Sequence, residues 1–455
     1  MYQKTVLPNK LRIISHHMKE RESVSVGLLI ATGGRYENKK NKGAAHFLEH
    51  ILFKGSKNYS CEEIKELIEG VGGALNAFTA EETTCYFAKT PGKHLPRTFD
   101  ILGDMVFDPL INKKDVDKER TVILEEIKMY HDVPQYFVLE LLDELMWPDH
   151  PLGQNLAGSF ETVGGMSAKD LKSFHQNYYF PGNIVVCACG HLEHSRFVNL
   201  VRKKLACFDV FKKTNFLAAQ NNQSEAQVKF FRKEIEQMHL ALGMPGLPVE
   251  HKDRYALSLL NVILGANMSS RLFTEVREKR GLAYSISSST KSLQDTGLFL
   301  IRAGVDNNKI VAALEVVLKE LKKICLKEVH QDEFIRAKDY FLGQFLLGLE
   351  DTLDHMLWMG ESLMTWDKVR SLEEIIKEVN QVKISDIKRV ANEIFQAGHL
   401  NLALVGPLKD GQEKGIRSLF NVRRVNSRQL PAEKIPPTEK HIENKPRKTG
   451  FPRGQ

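Results

Sequence analysis

Two histidines four residues apart, His46 and His50, with Glu49 between them, are the groups best equipped for chemistry in this sequence of 455 residues. On a helix that interval puts both imidazoles on one face, where they can chelate a single zinc ion. Glu49 falls on the same side, three residues after one histidine and one before the other. A carboxylate so placed can reach a water at the metal and take its proton as the water attacks a carbonyl. A catalytic zinc usually has three protein ligands, so a third must come from elsewhere in the first half. The helical run Glu119–Lys128 offers Glu119, Glu125 and Glu126. Glu119 and Glu126 are seven apart and share a face, whereas Glu125 is turned about 100° from Glu126. One of the aligned pair can bind metal while the other hydrogen-bonds a ligand histidine. Spacing alone leaves open which does which.

These groups need a rigid frame, and the chain is long enough for more than one hydrophobic core. Hydrophobic residues make up 42% and charged residues 27%, the balance of a globular protein. No stretch has the length and apolarity of a membrane span, and the N-terminal residues lack the character of a secretory signal or transit peptide. The expectation is a cytoplasmic protein with no membrane partner. The six cysteines form no CxxC pair, which argues against a disulfide framework or a cysteine zinc site. Cys187 and Cys189 share one face of an apolar strand and read as buried thiols. The formal charge of +7 does not point to nucleic acid. Nine Lys/Arg against three Asp/Glu from Arg423 onward give a net of +6, leaving the preceding 422 residues at +1. The basic, proline-containing segment 423–455 cannot build a core of its own and reads as a disordered, solvated tail.

The sequence repeats itself. Met166–Lys172 leads through a helical stretch to Tyr179–Asn183 and an apolar strand ending at Gly190; Ile384–Lys388 leads in the same way to Ile394–Gly398 and a strand ending at Gly406. Earlier, Ala45–Phe53 aligns with Ala256–Leu264, so that His46, Glu49 and His50 stand opposite Leu257, Leu260 and Asn261. Leucines at two of these positions indicate an enclosed surface, where polar groups need partners. The pattern predicts an α+β fold of two homologous domains, each a mostly antiparallel sheet packed with helices: 1–213 carrying the metal site, a polar linker at 214–227, and 228–422 without one. A capping box, Ser60-Cys61-Glu62-Glu63, predicts one helix start, with a stop at Gly70 and Gly72-Gly73.

His46-Phe47-Leu48-Glu49-His50 is the inverted zinc motif HxxEH, and here the chain resembles the inverzincin family of pitrilysin-type metallopeptidases, which includes insulin-degrading enzyme and the mitochondrial processing peptidase. The resemblance spans about Lys4 to Leu408 and is closest to the short, two-domain members. It implies a zinc-dependent endopeptidase with one zinc per chain, Glu126 as third ligand and Glu119 behind a ligand histidine. It implies that Asn76 and Ala77 lie on a strand edge that pairs with substrate backbone. It also implies that Arg277 and Tyr284 orient substrate and stabilise the developing oxyanion, with Arg280 a competitor for the first role. Long members enclose a chamber with four such domains and this chain has two, so the resemblance implies half of a clamshell. The other half would be a second copy or a similar partner chain, with Arg277 and Tyr284 of one protomer facing the zinc of the other. Peptides and unfolded segments are the implied substrates. The alternatives are a processing-peptidase subunit that needs its partner, or a structural subunit that retains the fold; a complete HxxEH with Glu126 weighs against the last.

Overall fold

The computed structural model describes residues 2–209 and 214–422; the basic segment from Arg423 lies outside them. Among the described residues, eleven strands form two sheets. The first contains β1 (Gln3–Val6), β2 (Arg12–His17), β3 (Ser23–Ile30), β4 (Ala74–Thr79), β5 (Thr84–Pro91) and β6 (Ile184–Gly190), in the order β1-β2-β6-β3-β5-β4. The second contains β7 (Gln227–Arg232), β8 (Gln237–Pro245), β9 (Ala283–Ser292), β10 (Gly297–Asp306) and β11 (Asn401–Gly406), in the order β7-β11-β8-β10-β9. Without β1 the two orders are the same, down to the single parallel pair in each, β2 with β6 and β7 with β11. The repeat read from the sequence is therefore a repeat of topology, in two mixed but mostly antiparallel sheets. β6 and β11 sit inside their sheets with every residue buried, which explains their unbroken apolar runs.

Each sheet packs its own helices on one face. The helix Ala44–Leu52 turns Phe47, Leu48, Ile51 and Leu52 into the first core, and Arg254–Leu264 does the same in the second. The opposite faces are covered by exchange. The helix Thr352–Trp366 of the second half lays Met356, Met359 and Leu363 on Ile14, Leu29, Val185 and Cys187 of the first sheet. The helix Pro134–Met146 of the first half lays Val138, Leu141 and Leu142 on Ala241, Leu298 and Val405 of the second. Each such apolar side chain contributes roughly 1.5–3 kcal/mol of burial. The contacts are close enough to dictate glycine: a Cβ on Gly27 would sit 2.8 Å from Met356 Sδ, and one on Gly243 would sit 2.9 Å from Leu142 Cδ1. Cys187 and Cys189 are buried on the face that receives the Thr352–Trp366 helix, and all six cysteines are free. The predicted capping box is present, with Ser60 accepting from Glu63 N and the helix Cys61–Glu69 ending at Gly70. No described helix is long and apolar enough to cross a membrane.

The halves also lock through charge. Arg35, whose side chain is fully buried, pairs with Glu82 at 2.5 Å and with Asp295 of the second half at 2.5 Å. It also donates to the Leu217 carbonyl at 3.0 Å and lies over the Phe216 ring at 3.9 Å. One cation thus joins the first half, the connecting segment and the second half.

Candidate metal centre

The first turn of the Ala44–Leu52 helix is set by a carboxylate. Glu37, fully buried, accepts the backbone N–H groups of Ala45 at 2.7 Å and Gly43 at 3.0 Å, and Lys42 Nζ lies 3.2 Å from it. Negative charge at a helix N-terminus satisfies donors that have no partner within the helix. Gly43 enters the helix with φ +91°, and a Cβ there would lie 2.7 Å from Ala157 O, so glycine is required. With the apolar side packed inward, His46, Glu49 and His50 are left on the side that faces the helix Lys113–Asp132.

There Glu126 Oε2 lies 3.7 Å from His46 Nε2 and 3.4 Å from His50 Nε2, and one ligand atom from each of the three residues falls within 4.8 Å of the others. Three ligands held roughly 2 Å from one tetrahedral ion stand about 3.3 Å apart, so the cluster has the dimensions of a metal centre. The electrostatics agree. Burial, with help from the neighbouring His50, pushes His46 down to about 4, leaving a neutral ring with a lone pair to give. Glu126 is held below its ordinary pKa chiefly by its hydrogen bond with His50, and so stays ionised. His46 Nδ1 is buried without a hydrogen-bond partner, and Nε2 is the ring nitrogen that faces Glu126. These donors fit zinc.

Glu119, two turns earlier on the same helix, lies 3.2 Å from His50 Nδ1 and 2.7 Å from Lys54 Nζ. It therefore fixes the tautomer that presents Nε2 to Glu126 and raises the basicity of that ring. Glu119→Gln keeps the shape and removes the charge; zinc affinity should fall roughly ten-fold or more, read by competition with a chromophoric chelator. Glu125 points away and pairs with Lys128 on the surface.

Glu49 meets β4. Thr79 Oγ1 donates to Glu49 Oε2 at 2.5 Å, which aims the carboxylate along the cavity. Burial raises the Glu49 pKa, and the Thr79 bond opposes that rise by favouring the ionised form. A base works only when ionised, so its activity is lost as pH falls through its pKa. Thr79→Val removes the opposing bond and should move the acid limb of the pH–rate profile to higher pH, while bound metal is unchanged. β4 is an edge strand, paired with β5 alone. Its Ala77 N–H is not in the ladder and donates instead to Asn76 Oδ1 at 2.8 Å. Ala77, Thr79, His46, Glu49, His50 and Glu126 all line one cavity of about 450 Å³; Asn76 points to the exposed side. Sequence reasoning gave no role of their own to two members of this site, Thr79, which it read only as part of the strand edge, and Tyr130. Thr79 follows Ala77 by two and so shares its face of the strand; Tyr130 follows Glu126 by four on one helix, lines the same cavity and helps to hold the Glu126 pKa down.

Arg277 and Tyr284 are elsewhere. Arg277 lies in a short π-helical turn, Phe273–Glu278, exposed, its guanidinium 4.7 Å from the Phe273 ring and 5.7 Å from that of Tyr284. Tyr284, at the start of β9, is 74% exposed. Arg280 is tied to Glu275 at 2.6 Å. Neither Arg277 nor Tyr284 lines the cavity. β9 reaches the cavity wall only at its far end, where Lys291 pairs with Glu81, and the seven residues from Tyr284 to Lys291 span roughly 23 Å of strand. At the position of the metal helix, the second half has Leu257 at 2% and Leu260 at 0% exposure, and Asn261 bonds to Ser288 at 2.6 Å.

Fold and site together define a class: duplicated two-sheet chains in which one half carries a His–His–Glu cluster facing a sheet edge. Residues 12–159 match the family described as insulinase (peptidase family M16), and residues 165–341 match the peptidase M16 inactive domain. The chain belongs to peptidase family M16. It is similar to an uncharacterized zinc protease of Streptomyces coelicolor, 37% identical over 419 residues and covering 90% of each chain. It is also similar to one of Bacillus subtilis, 34% identical over 407 residues, covering 90% of this chain and 98% of that one. The crystal structure of a protease from Helicobacter pylori superimposes with a TM-score of 0.84 at 26% identity, covering 89% of this chain and 99% of that one. The names of these relatives support zinc as the metal in general.

Proposed function

We propose that the chain is a zinc-dependent endopeptidase for peptides and unfolded segments, with His46, His50 and Glu126 as ligands of one zinc ion and Glu49 as general base. The observation that carries this reading is the convergence on one cavity of three ligand atoms, a hydrogen-bonded carboxylate and the open edge of β4. An extended peptide adds to that edge as a further strand, exchanging main-chain hydrogen bonds with Ala77 where Asn76 Oδ1 now caps the donor. Affinity through main-chain bonds tolerates many side chains. Zinc, when bound, supplies a Lewis acid that acidifies water and polarises a carbonyl. Glu49, aimed by Thr79, takes the proton of the attacking water and passes it to the departing amine.

Arg277 and Tyr284 complete the site from a second chain, a copy or a close relative, closing a clamshell around the peptide. Support comes from their exposure and from their separation from the cavity of their own chain. Free thiols throughout suit a cytoplasmic setting. The test is purified protein with a quenched, mixed-sequence peptide, its metal content and its mass in solution. One zinc per chain, a dimer, and cleavage abolished by chelation are expected. Well-folded protein that takes up no divalent metal would overturn the metal centre, and a metal-loaded dimer that cleaves nothing would overturn the peptidase reading.

A further inference from the structure

The cavity wall beyond the metal cluster is acidic. Glu81 comes from the turn between β4 and β5, and Glu140 and Asp143 from the helix Pro134–Met146; no lysine or arginine is among the residues lining the cavity. Glu140 has His131 at 3.5 Å. The positive charge for Glu81 comes from the far half of the molecule: Lys291, near the end of β9, forms an ion pair with it. Its side chain is 38% exposed. Asp143 and Lys291 also feel each other's charge.

This ion pair is built in. Arg35 N donates to Glu81 O at 2.8 Å, Gly34 N donates to Ala80 O at 3.1 Å, and Gln294 N donates to Glu82 at 3.1 Å. The Arg35 bridge from Glu82 to Asp295 closes the same contact. The β4–β5 turn that carries Glu81 and the β9–β10 turn beside Lys291 are therefore locked on one another. Lys291 is held at the carboxylates by structure on both sides and does not depend on a loose surface pairing.

We propose that Lys291 is a specificity-determining residue for the cavity of the other half. By occupying Glu81, it keeps this wall from selecting cationic side chains, so that peptides with uncharged side chains there bind as well as basic ones. Without it Glu81 is left uncompensated on this wall, which becomes a subsite for lysine or arginine. The inference rests on the peptidase reading and deepens it.

The test compares wild type, Lys291→Met, Lys291→Arg and Glu81→Gln on a positional library of quenched peptides. It reads the preference for Lys over Leu at each position flanking the cut. Lys291→Met should raise that preference about ten-fold at one position, and high salt should erase most of the gain. Lys291→Arg should behave as wild type, and Glu81→Gln should shift the preference the opposite way. A uniform loss of turnover in Lys291→Met, with preference unchanged at every position, would overturn the proposal and leave Lys291 a structural tie. The same ratio is read without turnover, from binding of labelled Lys and Leu peptides to metal-loaded Glu49→Gln protein. That readout separates failure of this inference from failure of the peptidase reading.

Discussion

Glu49→Gln should yield a protein that folds, retains its zinc and cleaves peptides about 10²–10⁴ times more slowly than wild type. The substitution changes one oxygen for nitrogen and leaves the helix packing untouched, because the buried face of Ala44–Leu52 does not include position 49. His46, His50 and Glu126 are unaltered, so metal content measures the integrity of the centre independently of turnover. The amide can still meet the Thr79 hydroxyl but cannot accept a proton, and the loss should therefore fall on kcat, with little change in KM. Turnover near the wild-type rate in zinc-replete Glu49→Gln protein would remove Glu49 from the mechanism.

Mixing two inactive variants should restore activity. If Arg277 and Tyr284 serve the metal of the partner, Glu49→Gln and Tyr284→Phe damage different halves of a composite site. Unfolding and refolding the two together in equal amounts makes half the dimers mixed. In each mixed dimer one site collects both lesions and the other collects none. About a quarter of wild-type activity is expected from the mixture, against almost none from either parent. Tyr284 is exposed, so its substitution should not disturb the fold. Failure of the mixture to exceed its parents, under conditions where mixed dimers form, would place Tyr284 outside the site.

The helix that puts His46 and His50 on one face was legible because its signal is local: a four-residue interval is a geometric statement about one helix face. The duplication was legible for a related reason, since matching patterns of strand and helix carry over to matching strand orders. Glu119 and Glu126 could not be separated by spacing, because both occupy one face. What distinguishes them is how far along Lys113–Asp132 the metal helix crosses, and packing fixes that crossing. Thr79 joins the site only once β4 has paired with β5 and been placed against Ala44–Leu52. The tie from Lys291 to Glu81 links residues 210 positions apart, and no periodicity encodes such a contact. Glu37 was equally hidden, its role as an N-terminal cap depending on a loop that returns to the helix it precedes.

The crossed helices give the molecule a property that its linear order conceals. Cut between its halves, the chain would still be held by Met356 and Leu363 seated on one sheet and by Val138 and Leu142 seated on the other. Each half isolated from its mate would present a bare apolar sheet to water. The halves are therefore not separable modules, because each covers the other's sheet with one of its own helices. The half with buried Leu257 and Leu260 in place of His46 and Glu49 cannot be shed, because the first half keeps its own sheet dry only while the second remains.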